Sequence, residues 1–329
     1  MFLVEADYAL KYVNTDYTLD VINDLGIDEA DLDQQYQYTK DIVTSTEGNL
    51  KGVSWQATPG LFAYRRSIAT DVLGTDDPSA VQDFISTWDK FDDVAEDMKE
   101  DGYYMLSGYD DAYRTFSNNM SNPWVNSSDE IVIDASIERW IDQTKEYSDN
   151  DYNHGASLWD STWAADQSAD GNVFGFFYST WGINFTLKGN AGDEGFGDWA
   201  VTQGPASYYW GGTWITAAKG TDNKDLVKDI MLKLTADKDI MKQITIDTQD
   251  YTNHMTAMQE LADDPDFGSD FLGGQNHIAL FVESAAQIDM SNISPYDQGL
   301  TENFQASFKD YFAGTVTYQE AMDNFYTAV

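Results

Sequence analysis

Apolar residues recur along this chain in two rhythms, short unbroken runs of strand length and longer stripes at helical spacing, and their alternation predicts an α/β fold. Residues 2–4 read as a short buried strand, and a helical stripe follows over 8–13. Residues 16–38 break the rhythm: Asp20, Asp24, Asp28, Asp31 and Asp33 form an acidic run of the kind that coats a solvated face. Gly48-Asn49 predicts a turn into a strand over 50–55, which ends at the break Thr58-Pro59-Gly60. A second short strand spans 61–64, and Arg65-Arg66-Ser67 begins a helix that stops near Gly74.

From Thr87 the spacing predicts a helix with Trp88, Phe91, Val94, Ala95 and Met98 on one stripe and Gly102 as its stop. Ile131-Val132-Ile133 predicts a strand, and Asp134 at its exit caps a helix carrying Ile137, Trp140, Ile141 and Tyr147. Residues 173–178 are an unbroken apolar run, as in a buried central strand. Trp181 comes just past its end, where open α/β sheets receive ligands. After a further strand over 198–202, a helix from Asp222 or Asn223 turns Leu226, Val227, Ile230, Met231 and Leu234 inward. Thr235 restarts a shorter helix through Ile240, Met241 and Ile244. In the tail, Phe304, Phe308, Tyr311 and Phe312 line one helix that Gly314 ends, and Thr317 with Glu320 makes a capping box for the last.

One segment follows neither rhythm. Tyr208-Tyr209-Trp210-Gly211-Gly212-Thr213-Trp214 sets four rings around a glycine pair, where the backbone bends and lets another group approach. Ser54-Trp55-Gln56, Asn122-Pro123-Trp124 and Ser179-Thr180-Trp181-Gly182 repeat the theme of a tryptophan in small, polar, turn-prone company. Any one of these rings fits a core as well as a ligand. Their repetition points to a site that grips by stacking. A pyranose suits it, because its axial C–H edges lie on an indole face while Asp, Asn and Gln pair its hydroxyls.

Composition narrows the ligand further. Lys and Arg total 18 against 57 Asp and Glu, a formal net charge of -39, so nucleic acid, polyanionic substrates and anionic membrane faces are repelled. There is no cysteine, which removes disulfides, zinc–thiolate sites and thiol nucleophiles. No apolar run reaches the roughly 18 residues that span a bilayer. The segment Asp149-Asn150-Asp151-Tyr152-Asn153-His154-Gly155, with Asp160 in twelfth place, echoes a calcium loop, but its glycine is one position late. His154, His254 and His277 show no ligand spacing, so no metal and no cofactor is expected. No serine-hydrolase, phosphate-loop or dinucleotide signature occurs. A glycoside hydrolase with an Asp/Glu pair is the alternative, and the many carboxylates neither favour nor exclude it.

In order, these segments resemble the extracellular solute-binding proteins of carbohydrate ABC importers, the group of the maltose-binding proteins. The likeness spans residues 2–329. It runs through the first strand and its polar exit, the passage Gly52 to Arg66, Thr87-Trp88-Asp89, Ser179-Thr180-Trp181-Gly182 and the Gly-Gly loop. Ala217-Ala218-Lys219, Asn223-Lys224-Asp225-Leu226, Gly273-Gly274-Gln275-Asn276, Ser294-Pro295-Tyr296-Asp297 and Tyr311-Phe312-Ala313-Gly314 complete it.

The resemblance implies a two-lobed periplasmic-binding-protein-like fold of type II whose lobes hinge shut on a sugar. The first lobe would comprise 1–58 with 213–262, and the second 59–212 with 263–329. Family members begin with an exported leader, often lipid-bearing, and two strand–helix units ahead of Phe2, so the first lobe is expected to be incomplete here. The implied function is the substrate-binding component of an ABC importer, a monomer that in its full-length form is extracellular, at the cell surface or periplasmic, with a lipid anchor that this chain does not contain. It would bind a neutral oligosaccharide without chemistry and present it to the permease's transmembrane subunits. Trp181 is the leading contact, followed by Trp55, Gln56, Asp7 and Tyr8. Trp210, Gly211, Gly212 and Trp214 flank the return crossing, and Tyr113, Tyr296 and Asp297 come from loops at the cleft.

Overall fold

The computed structural model describes all residues 1–329. Its eight strands are β1 (Phe2–Glu5), β2 (Gly52–Ser54), β3 (Gly60–Arg65), β4 (Leu106–Gly108), β5 (Asn153–Ala156), β6 (Gly175–Ser179), β7 (Trp199–Thr202) and β8 (Thr213–Thr216). They form two three-stranded sheets, β1-β8-β2 and β6-β3-β7, and the pair β4-β5. Both larger sheets are antiparallel: Leu3 and Val53 flank Ile215 in one, and Phe177 and Thr202 flank Phe62 in the other. Leu61, Phe62, Ala63 and Tyr64 of β3 are all wholly buried, because helices and loops cover both faces of that sheet.

The chain leaves the first sheet through residues 55–59 and returns through 208–212, and the two passages bond to each other. Trp210 N donates to the Thr58 carbonyl at 3.1 Å, and Thr58 Oγ1 donates to the Gly211 carbonyl at 2.9 Å. Residues 250–253 run alongside, with Ala57 N on the Tyr251 carbonyl and Asn253 N on that of Trp55. Three segments thus meet between the sheets.

The long helices form where the stripes place them. Trp88–Glu100 is capped by Thr87 and buries Phe91, Val94, Ala95 and Met98. Ala135–Asp149 is capped by Asp134, and Tyr318–Ala328 starts on the Thr317/Glu320 capping box. Phe62, Phe91 and Phe177 meet at centroid distances of 5.0 to 5.7 Å, which fixes helix Trp88–Glu100 on the second sheet.

Several expectations are corrected. β1 is an edge strand rather than a buried one: β8 covers one side, Val4 alone is buried and Leu3 is exposed. Ile131-Val132-Ile133 makes only an isolated bridge from Ile131 to Val125. In helix Lys224–Thr235 the inward stripe is Val227, Met231 and Thr235, four residues apart, while Leu226 and Leu234 face outward. The next helix, Lys238–Thr248, starts on Asp237, whose carboxylate accepts from Asp239 N and Ile240 N. Asp20 is buried, accepting from Ile22 N, Asn23 N and Asn23 Nδ2, so this part of the acidic run builds a turn. The pattern also passed over helix Pro78–Ile85, which Asp77 caps with proline in its first turn.

Candidate ligand-binding site

A cavity of about 240 Å³ opens beside the two passages. The exit of β1 supplies Ala6, Asp7, Leu10 and Lys11 to its wall, and helix Tyr113–Ser117 supplies Tyr113, Arg114 and Ser117. Tyr209 and Trp210 come from the return passage, Trp159 from the loop after β5, and Asp297, Gln298 and Thr301 from the start of helix Asp297–Phe312. Five carboxylates line it (Asp7, Asp110, Asp289, Asp297, Glu302) against two cations, Lys11 and Arg114.

Arg114 crosses this space. Its Nη1 and Nη2 donate to Asp7 Oδ1 at 3.1 Å and Oδ2 at 2.5 Å, a fork-on-carboxylate pair, while the guanidinium carbon lies 5.5 Å from the Trp210 ring centre. Burial works to raise the Asp7 carboxyl, but the guanidinium outweighs it and holds the group below the usual carboxylate range. Lys11 Nζ donates to the neutral amide oxygen of Gln298, Oε1. Asp7, a predicted contact, is therefore part of the wall and already carries a partner.

Four indoles form one cluster at the cavity's edge. Trp181 and Trp210 meet edge to face at 5.4 Å, and the Trp181 indole N–H donates to the Trp210 carbonyl at 2.9 Å. Trp159 lies nearly parallel to Trp181, with centroids 6.1 Å apart and planes 17° from parallel, and Trp163 sits 5.1 Å from it. Trp210 and Trp159 line the cavity, and Trp181 stands behind them, half-buried. Gly211 has φ +70, and a Cβ there would lie 3.2 Å from Trp181 Nε1. The glycine pair makes room for protein rings: the corresponding atom on Gly212 would lie 3.1 Å from the Trp214 ring.

The remaining predicted residues separate. Tyr113 lines the cavity with its ring edge on Trp140 at 4.8 Å, and its hydroxyl donates to Thr301 Oγ1 at 3.2 Å. Asp297 also lines it, and burial pushes its carboxyl up to about 6 although Ser294 N and Oγ both donate to it. Tyr296 points to solvent outside the cavity, and so does Tyr8, beneath Lys11 Nζ at 5.2 Å. Trp55 is half-buried away from the wall. Gln56 is spent inside the protein, its Nε2 donating to Asp250 Oδ2 at 2.8 Å, and Thr180 Oγ1 donates to the other oxygen of Asp250. Trp214 is buried, its indole donating to the Thr39 carbonyl at 2.8 Å. Gln56 faces inward in the passage after β2, bridged to Thr252, and Trp214 does so in β8, whose last three residues are all buried.

The calcium-like segment is divided among other tasks. Asp149 pairs with Lys145, Asp151 with Lys99, and Asp160 caps helix Ser161–Ala165 through Trp163 N. His154 Nδ1 lies 2.9 Å from Asp166 Oδ1, His254 accepts from Ala257 N at a helix start, and His277 is buried against the Gln249 carbonyl.

Sequence reasoning missed Trp159 and Asp110. The sign for Trp159 was local: Asp160, three residues before Trp163, is a helix N-cap, which leaves the preceding indole in a loop. Arg114 was overlooked because a lone arginine carries no pattern.

Comparison with known proteins follows the same lines. A family profile described as bacterial extracellular solute-binding protein matches residues 1–270. No curated protein sequence matches the chain. Among solved structures, one described as an extracellular solute-binding protein of family 1 superposes with a TM-score of 0.87 at 16% identity, covering 99% of this chain and 84% of that one. The ABC transporter associated binding protein of B. animalis subsp. lactis, in complex with β-1,6-galactobiose, gives 0.76 at 16% identity over 99% and 82% of the two chains. The galacto-N-biose/lacto-N-biose I-binding protein of Bifidobacterium longum gives 0.74 at 16% identity over 99% and 80%. At such identities the likeness establishes the shared two-lobed fold.

Proposed function

The chain belongs to the bacterial extracellular solute-binding protein family, and from that premise we propose that it captures a short neutral oligosaccharide for an ABC importer and releases it unchanged to the transmembrane subunits. The observation that carries this reading is the cavity wall: indole and phenol faces beside five carboxylates and only two cations. An anion would meet net repulsion there, whereas sugar hydroxyls find acceptors and C–H faces find rings. One similar protein in complex with β-1,6-galactobiose and another named for galacto-N-biose and lacto-N-biose I support a sugar over other neutral solutes. A volume of about 240 Å³, just under the usual range for small-molecule sites, favours few rings.

In this reading residues 1–58 with 213–262 form the first lobe and 59–212 with 263–329 the second. The bonded passages at Thr58 and Trp210 serve as the hinge. Trp210, Tyr113 and Asp297 act from the wall, and Trp181 braces them. Asp7 acts through Arg114, joining the lobes. The protein works as a monomer outside the cytoplasm.

A thermal-shift screen of neutral disaccharides, amino sugars and sugar phosphates tests the ligand class. A rise in melting temperature with a neutral disaccharide is expected. A rise with the phosphates alone would overturn the reading.

A further inference from the structure

We propose that Trp159 is the ring on which the captured sugar stacks, and that Asp110 is the positioning residue that aims it. The inference rests on the sugar-binding reading above and deepens it. Trp159 is 56% exposed although it is an indole, and it borders the cavity. Its backbone φ is +71, a left-handed conformation that is unfavourable for any residue with a Cβ. An exposed ring in a strained backbone contributes little to the fold, and strain of this kind persists only where its surroundings impose it.

The surroundings do impose it. Asp110, itself buried, receives Ser157 Oγ on one carboxylate oxygen at 2.6 Å and Leu158 N on the other at 2.9 Å, fixing the two residues before Trp159. Asp160, the residue after it, receives Ser157 N at 3.0 Å and Trp163 N at 2.8 Å. The loop is therefore clamped from both sides of the indole. Trp181 lies nearly parallel to the ring, Trp210 lies 5.8 Å from it and Trp163, tilted by 57°, lies 5.1 Å from it, so the plane is fixed while more than half of the surface stays open. Trp181 is pinned by its own bond to the Trp210 carbonyl and acts as backing. A rigid, flat, exposed ring beside acceptors selects a cyclic sugar with an unbroken C–H face. An open-chain polyol of the same composition presents no such face.

The test uses the full chain, with maltose, lacto-N-biose and β-1,6-galactobiose as probes, each titrated calorimetrically into wild type, Trp159→Gly, Trp159→Phe, Asp110→Asn and the Trp159→Gly/Asp110→Asn double variant. For the sugar that wild type binds, Trp159→Gly is expected to weaken affinity at least 10-fold, and Trp159→Phe much less. Without sugar, Trp159→Gly is expected to melt at or above the wild-type temperature, because glycine relieves the strain. Asp110→Asn is expected to weaken binding, with little further loss in the double variant, since both changes remove one aimed ring. Wild-type affinity in Trp159→Gly, or a lowered melting temperature that marks Trp159 as a packing residue, would overturn the proposal. Additive losses would remove the role of Asp110. If wild type binds none of the three sugars, the sugar reading itself fails, a result distinct from binding that ignores Trp159.

Discussion

Arg114 reaches from the helix Tyr113–Ser117 to the exit of β1 and closes a two-pronged pair on Asp7, so a residue beside the second sheet is tied to one leaving the first. Each side chain keeps nearly a third of its surface exposed, 28% for Arg114 and 30% for Asp7. The pair is thus partly screened, and it gains most from its geometry.

Arg114→Ala is expected to destabilise the protein by roughly 1 to 2 kcal/mol, less than the loss of a fully buried pair, and to widen the cleft. Urea unfolding measures the first effect and small-angle scattering the second. Unchanged scattering without ligand would show that the pair does not hold the two sheets together.

Gly211→Ala is expected to cost more than Gly26→Ala. Both positions have positive φ, +70 and +67, so both pay the backbone penalty of about 1 kcal/mol. At Gly26 nothing lies within 4 Å of the added carbon, whereas at Gly211 the Trp181 indole must also move. Equal shifts in melting temperature for the two variants would contradict the close packing of Trp181 on the loop.

Asp297 predicts a pH signature. Burial raises its carboxyl from 3.8 to about 6, so between these values the folded protein keeps a proton that the unfolded chain has released. Stability from this group is full below about pH 4, falls as pH rises, and is level above about 6, a change on the order of 2 to 3 kcal/mol. Asp7 contributes with the opposite sign, because its carboxyl is held low and its stabilisation is lost as pH falls. Unfolding of wild type and Asp297→Asn compared from pH 4 to 7 isolates the first effect. Parallel curves would show that Asp297 is not buried in this way.

Much of the fold could be read from the chain because strong stripes and caps act locally. Thr87, Asp134 and the Thr317/Glu320 box each start the helix they predict. Strands were less legible: Ile131-Val132-Ile133 has the composition of one but no neighbouring strand to pair with, and a strand exists only by pairing. The cavity wall was half legible. Trp210, Tyr113, Asp7 and Asp297 reach one cavity, while Gln56 and Trp214 were drawn inward by Asp250 and the Thr39 carbonyl, partners 194 and 175 residues away. No local pattern reports such distances. Arg114 was hidden for the same reason, since what makes it notable is the group it meets, whereas Trp159 has a local sign in the Asp160 cap that follows it.

Calorimetric titration of the wild-type chain with neutral disaccharides, followed by chromatography of the recovered sugar, tests the central claim most directly. The account predicts saturable one-to-one binding of at least one disaccharide, with the sugar recovered intact. Heat from no sugar in the panel, or recovery of cleaved product, would contradict it.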